Sequence, residues 1–322
     1  MSVLVYASAT DGKFKKSTFE VVSYGKKVAT LLGTDLVALT INADDASELQ
    51  HYGAEKILTV HNEQLSVFNA KAYALSIEQA AKSNDANVVV IDSSADGLYI
   101  APLLAVGLDA GYASNVIAVP ETTDSFTVKR KAFSNKGFSN TVISTENKVI
   151  GLAKNSFGIY ENEVAASVEN FNVSLSDNDF GVQSTHVAKA SGKVTIADAD
   201  VVVSAGRGLK GPENWGMVEE LAGVLGAATA CSKPVSDLGW RPHSEHVGQT
   251  GKPVASNLYI AIGISGAIQH LAGVNASKVK VVINTDPEAP FFKAADYGIV
   301  GDAFEVVPQL ISKLRDFKAQ NS

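Results

Sequence analysis

Asp200-Val201-Val202-Val203-Ser204-Ala205-Gly206-Arg207-Gly208-Leu209-Lys210-Gly211 decides the fold. The apolar run Asp200–Ser204 has the length and β-branched content of a buried strand. Gly206, Gly208 and Gly211 follow it, and glycine lets the backbone turn tightly and approach its neighbours. Pro212 then suits the first turn of a helix, and Glu213–Leu225 carries apolar residues at helical spacing. A strand, a tight turn and a helix open a βαβ unit, which predicts a parallel sheet covered by helices.

The pattern repeats downstream. Ala227–Cys231 and Leu258–Ile264 read as strands, Ala267–Leu271 opens a helix, Lys278–Asn284 is a strand and Pro308–Phe317 a C-terminal helix. The 32 residues from Ser232 to Gly263 include a long loop, and loops of that length in compact domains are usually functional. Upstream the same rhythm appears. Val3–Ala7, Leu36–Ile41, Lys56–Val60 and Asn87–Ile91 are strand-like, while Thr18–Leu32, ending before Gly33, and Val67–Lys82 are helical in pattern. Val116–Pro120, Phe126–Phe133, Thr141–Ser144 and Lys148–Ala153 then read as strands without long helices between them, so this sheet should end in antiparallel or irregular strands. Around residues 154–193 the periodicity weakens into an edge strand and a linker. The expected architecture is therefore α/β in two domains, each a mostly parallel sheet flanked by helices. Residues 1–190 form an N-terminal α/β domain, and residues 191–322 form a C-terminal Rossmann-like domain.

Composition agrees with two domains. The chain has 322 residues, 46% hydrophobic and 19% charged, enough for two cores of ordinary size. Twelve of the 26 glycines lie in residues 1–200 and the other 14 in the shorter remainder, which places ligand loops in the second part. A single cysteine, Cys231, excludes a disulfide framework and argues against a cysteine-ligated zinc or iron–sulfur site. The net charge is −7. Lys129-Arg130-Lys131 is the nearest approach to a basic run and reads as a solvated face, so no nucleic-acid partner is expected. No apolar run approaches the roughly 20 residues needed to span a bilayer, and Met1–Tyr6 reads as a strand rather than a signal peptide. The expected location is a bacterial-type cytoplasm, with a mitochondrial matrix the less natural choice.

Three motifs suggest other chemistries. Gly206-x-Gly208-x-x-Gly211 fits a dinucleotide fingerprint, but the next strand ends at Cys231-Ser232-Lys233, without the acidic residue that would bind a ribose. A pyridine-nucleotide oxidoreductase subunit is the alternative built on this turn. Gly263-Ile264-Ser265-Gly266-Ala267 nearly matches a nucleophile elbow, yet only His270 follows it, too close in sequence to act as a separate base. Ser265 is better read as a helix cap. Gly248-Gln249-Thr250-Gly251-Lys252 lacks P-loop spacing and the following hydroxyl residue. His243 and His246 are three residues apart, but no cluster of further ligands accompanies them, so no metal is expected and a solvated loop is the reading for both. What remains is a set of donors and acceptors near strand ends: Arg207, Ser232, Gln249, Thr250, Ser265, Gln269, His270, Asn284 and Asp302. Such a set suits holding a large, planar, phosphate-bearing cofactor beyond the carboxyl ends of a parallel sheet.

These segments resemble the α subunit of the electron-transfer flavoproteins. Ser204–Lys210 is similar to the opening of its FAD-binding domain, Val247–Lys252 to its flavin loop, and Leu258–Gly273 is the longest and most specific match. Asn284-Thr285-Asp286-Pro287-Glu288-Ala289-Pro290 and Ala295–Asp302 follow in the family's order. The resemblance implies an electron carrier with no substrate turnover of its own, built as a heterodimer with a β subunit. It implies FAD in this chain and AMP, or a second FAD in bifurcating relatives, in the β subunit. It implies electrons collected from flavin dehydrogenases such as acyl-CoA dehydrogenases and passed to a membrane quinone oxidoreductase. By position, Thr250 would hydrogen-bond flavin N5, with Gln249 near O4 and Ser232 close to the ring. His270 would face the O2/N1 edge as a cation or a donor. Arg207, Ser265 and nearby amides, among them those around Gly266, would serve the ADP half. Gln269 belongs to the same cofactor-binding set. Asn284 and Asp302 would serve the ribose or adenine end. Lys233 stands where the family often has arginine, and it lacks the planar face that stacks on a ring.

Overall fold

A computed structural model describes residues 1–320 apart from Ser134, Gln183, residues 186–194, Ala197 and Asp198. The boundary expected at 190/191 falls outside the described residues. Residues Met1–Phe133 and Gly137–Val187 form one compact unit, and Ser134–Lys136 and Ala188–Ser322 form another.

The first unit starts with β1 (Ser2–Tyr6), a short antiparallel pair β2 (Ala9–Thr10) and β3 (Lys13–Phe14), and α1 (Lys16–Leu32). It continues through β4 (Leu36–Ile41), β5 (Lys56–Val60), α2 (Ala70–Ser83), β6 (Ala86–Asp92), α3 (Ala95–Gly107) and β7 (Ala110–Val116). β8 (Thr127–Ala132), β9 (Gly137–Val142), β10 (Asn147–Leu152) and β11 (Ser167–Asn170) complete it. The nine-stranded sheet has the order β11-β5-β4-β1-β6-β10-β7-β8-β9. It is parallel from β11 to β7, and β8 and β9 close one edge antiparallel. Side chains alternate between two cores, as the twofold repeat of a strand requires. Val3 and Val5 meet Val21, Val22 and Val28 of α1, whereas Leu4 and Tyr6 face the layer of Ile77 and Leu104 from α2 and α3. Burial on both faces explains why the central strands are almost wholly apolar. Gly33 ends α1 in the left-handed conformation at φ 65°, a position where a side chain would be strained.

Three details differ from expectation. α3 carries apolar residues all round, with Pro102 inside it, so it offers no amphipathic stripe. β10, expected among the antiparallel or irregular strands that end the sheet, instead enters it parallel between β6 and β7. The Lys129–Lys131 run is half-buried rather than solvated: Arg130 donates to Ser114 Oγ at 3.0 Å, Lys129 lies over the Phe138 ring, and burial pushes the Lys131 amine down.

The second unit is a smaller doubly wound sheet. It contains β12 (Val201–Ala205), α4 (Gly216–Leu225), β13 (Ala228–Cys231), α5 (Lys233–Asp237) and β14 (Leu258–Ile262). α6 (Ile268–Val274), β15 (Val279–Asn284), β16 (Tyr297–Val300) and α7 (Ala303–Gln320) follow. All five strands are parallel in the order β13-β12-β14-β15-β16. Numbered along the chain this is 2-1-3-4-5, a doubly wound order distinct from the six-stranded dinucleotide order. α4 and α7 cover one face through Val218, Leu221, Val307 and Ile311. Tyr259, Val274, Val282 and Phe291 pack on the other. The chain leaves β12 toward β13 and returns past it to β14, so the topological switch lies between β12 and β14, where ligands of such sheets bind.

Candidate functional site

Two glycine turns meet at that switch. The Gly206 amide donates to the Ile262 carbonyl at 2.9 Å and the Gly208 amide to the Gly263 carbonyl at 3.2 Å. A β-carbon on Gly206 would stand 2.3 Å from the Gly263 oxygen, and one on Gly263, whose φ is +60°, would stand 2.8 Å from Gly208 Cα. Only glycine permits this approach. The fingerprint spacing in the sequence thus serves backbone contact between neighbouring turns.

A third segment is pinned across the opening. The Val247 amide donates to the Cys231 carbonyl at 3.0 Å, and the Gln249 amide to the Gln269 carbonyl at 2.7 Å. This holds Val247–Lys252 between the end of β13 and α6. A cavity of about 650 Å³ opens among these loops, within the roughly 300–1,000 Å³ of small-molecule and cofactor sites.

Nine of the eleven expected residues line it. Arg207 comes from the turn after β12, Ser232 and Lys233 from the start of α5, and Gln249 and Thr250 from the pinned loop. Ser265, Gln269 and His270 come from the turn and helix after β14, and Asn284 from the end of β15. Ser265 does not cap α6: the helix begins at Ile268, and the cap position, Ala267, carries no side-chain hydrogen bond. Gly266 and Asp302 lie outside the lining. Gly266 has φ +85°, and a β-carbon there would sit 2.5 Å from the Phe291 nitrogen, so its need is close packing. Asp302 precedes α7, accepts from the Phe304 amide at 3.0 Å and lies 3.6 Å from Lys210 Nζ. Asn284 also ties the site together, donating through Nδ2 to the Ile264 carbonyl at 3.1 Å.

Two cations, Arg207 and Lys233, and two carboxylate residues, Asp237 and Asp286, line the cavity. Lys233 Nζ lies 3.2 Å from Asp237 at the mouth. His270 is buried, and Tyr259 Oη lies 2.9 Å from its Nε2. Burial depresses the imidazole to about pH 4; the Val247 backbone offsets part of this but makes no hydrogen bond of ordinary geometry to Nδ1. Burial thus favours the neutral imidazole, a hydrogen-bonding group on the cavity wall. His246 was expected in a solvated loop, but it is buried and lines the cavity. Its signal in the sequence was its place three residues before Gln249. Its partner in the suspected metal pair, His243, is exposed. Cys231 is buried, and burial pushes its thiol up to about 12, which leaves it a packing residue. No group of three potential metal ligands occurs among the described residues.

Residues 195–275 match the electron transfer flavoprotein FAD-binding domain, and residues 3–176 match the electron transfer flavoprotein domain. Over 322 residues the chain is 37% identical to the electron transfer flavoprotein subunit alpha of Bacillus subtilis (strain 168), with 97% of each chain covered. The chain belongs to the electron transfer flavoprotein α-subunit family. Further α subunits show the same extent of likeness. That of Syntrophomonas wolfei is 35% identical over 318 residues, covering 97% of this chain and 98% of its own. That of Paracoccus denitrificans is 34% identical over 319 residues, covering 98% and 100%. Two thiamin-diphosphate-dependent enzymes of known structure overlap 96% of the chain at TM-scores of 0.26 and 0.25 and at 10% and 9% identity, too low to bear on function.

The flavoprotein α subunit holds FAD, and its cavity fits the group. It offers donors for a polarised ring edge at Thr250, Gln249 and His270, a cation at Arg207 for a phosphate, and apolar walls at Ile264 and Val247. The buried Nδ1 atoms of His246 and His270 lack hydrogen-bond partners, and buried polar groups of that kind are ordinarily satisfied. An α subunit of this family works with a β subunit. No described helix is long and apolar enough to cross a membrane.

Proposed function

We propose that this α subunit, paired with its β subunit, carries electrons from flavin dehydrogenases of the acyl-CoA dehydrogenase type to a membrane quinone oxidoreductase, turning over no substrate of its own. The observation that carries this reading is the convergence of Arg207, Lys233, Gln249, Thr250, Ser265 and His270 from separate loops on one cavity at the sheet's switch point. A C-terminal domain of residues 191–322 would hold the cofactor and residues 1–190 would form the other domain. The bacterial relatives support a cytoplasmic setting.

Bound FAD supplies the redox chemistry. Thr250 and Gln249 bind the ring's polar edge through hydrogen bonds. His270, whose Nε2 pairs with the Tyr259 phenol, would hold a proton at Nδ1 when that phenol is the donor, and so offer a neutral donor where charge builds on reduction. Lys233, restrained by Asp237, adds a cation at the mouth. Arg207 binds phosphate, and Val247 and Ile264 exclude water.

Co-expression with the β subunit tests the reading. The complex should retain one FAD per α subunit, become reduced by an acyl-CoA dehydrogenase and its substrate, and be reoxidised by a quinone oxidoreductase. A colourless complex that takes up no added FAD would overturn it.

A further inference from the structure

The cavity contains a second enclosed imidazole. His246 is 2% exposed, lines the cavity, and stands where the chain bridges to Cys231 at the end of β13. Its Nδ1 has no partner, and neither ring nitrogen makes a hydrogen bond to any described residue. The loop that carries Gln249 and Thr250 folds around the ring, and two glycines make the room. A β-carbon on Gly251 would stand 2.9 Å from Nδ1, and one on Gly248 would stand 3.4 Å from Nε2. A buried polar group without a partner destabilises the fold. Here the ring that carries it lines the site where a ligand's charge changes.

The surroundings keep the ring neutral until such a charge arrives. Burial pushes the imidazole down first of all. His243, its ring centroid 5.2 Å away, and Lys233 of α5 push the same way, while Asp237 of α5 opposes them. Lys233 and Asp237 are paired with each other. On the other elements, His270 of α6 is neutral and the Cys231 thiol is held protonated. Arg241 and Glu245, on the preceding turn, form their own two-pronged pair at 2.6 and 2.8 Å. His246, paired with none of these groups, can therefore respond to a negative charge in the cavity, because an added anion in a poorly solvated site favours the imidazolium.

We propose that His246 is the proton partner of the electron at this site: as an electron enters the bound flavin, a proton from solvent joins the neutral His246 ring. The electron comes from the donor dehydrogenase and the proton from water. No bond in the flavin forms or breaks at His246, and both charges leave together on reoxidation. The proposal rests on FAD seated in this cavity. It makes His246 a positioning residue, holding the loop by packing and balancing charge by protonation.

The test uses the intact heterodimer loaded with FAD and labelled in its histidine rings, with the His246 signal assigned by its loss in His246→Gln. In the wild type the titration midpoint of His246 should rise by at least one pH unit, a tenfold gain in proton affinity, between the oxidised and reduced complexes. The midpoint potential should then fall with pH across that interval, approaching about 59 mV per unit for one electron, and the slope should flatten in His246→Gln. Should His246→Gln fail to load FAD, His246→Asn provides the assignment and the wild-type titration stands by itself. A flavin-loaded complex in which His246 titrates identically in both states overturns this proposal alone. A wild-type complex without FAD overturns the underlying reading as well.

Discussion

Tyr259 Oη and His270 Nε2 lie 2.9 Å apart in the core beneath the cavity, and this contact decides what the imidazole presents to a ligand. Tyr259 is on β14 and fully buried, and burial raises its phenol, which stays protonated. With the phenol as donor to Nε2, the imidazole's own proton stands on Nδ1. The hydroxyl therefore orients the donor from inside the protein, eleven residues earlier in the chain.

Tyr259→Phe should release that constraint. Loss of the bond leaves His270 with two unsatisfied nitrogens, and stability should fall by about 1–3 kcal/mol. Denaturant unfolding measures this loss, and redox titration of the FAD complex should show a lower potential. An unchanged potential would mean that the tautomer does not matter to the flavin.

Acid should weaken the fold through His270. Its folded value is about 4 against an ordinary 6.5, so between those values the unfolded chain binds the proton that the native chain refuses. The stabilisation is complete above about pH 6.5 and lost as pH falls through 4. The shift corresponds to about 3 kcal/mol. Urea midpoints from pH 7 to pH 4 should fall, and should fall less steeply in His270→Gln.

Lys233→Ala should lower the first reduction potential by about 20–40 mV, because an exposed cation over a ring contributes about 0.5–1 kcal/mol and 1.4 kcal/mol is about 59 mV for one electron. Asp237→Asn frees the same amine from its partner at 3.2 Å and should move the potential the other way. Spectroelectrochemistry reads both. No change in either variant would remove Lys233 from the redox site.

Gly263→Ala should abolish FAD retention. The new methyl would meet Gly208 Cα at 2.8 Å from a backbone at φ +60°, and the two turns would have to separate. Flavin absorbance per α subunit measures the loss, while circular dichroism should still report a folded chain.

Glu20→Ala probes the first unit. The buried Glu20 carboxylate accepts from the amides of Asn155, Phe157 and Gly158 at 2.8, 2.8 and 2.9 Å. Its removal strands these donors and should cost about 3–4 kcal/mol, seen as a lower thermal midpoint. FAD affinity, which belongs to the second unit, should be unaffected.

Strand and helix identities were legible where periodicity was local. Leu36–Ile41 and Lys56–Val60 are strands with the expected bounds, and Thr18–Leu32 lies within α1. α3 was missed because Ala95–Gly107 is apolar on every side and contains Pro102, which removes the stripe that marks a helix. β16 was missed because Tyr297-Gly298-Ile299-Val300 is short and exposed, with neither alternation nor a buried run to mark it.

The sequence by itself determined that parallel sheets would form, that ligand loops would follow the strands of the second half, and which polar residues those loops carry. These properties follow from nearest neighbours along the chain. Tertiary structure alone decided that β10 inserts between β6 and β7, that the second sheet runs 2-1-3-4-5, that Asp302 and Gly266 stand off the cavity, and that His246 turns inward. Each of these depends on contacts between residues distant in sequence. Whether an imidazole is solvated, or enclosed against Gly248 and Gly251 and held neutral by burial, is set by what packs around it, and spacing along the chain carries no record of that.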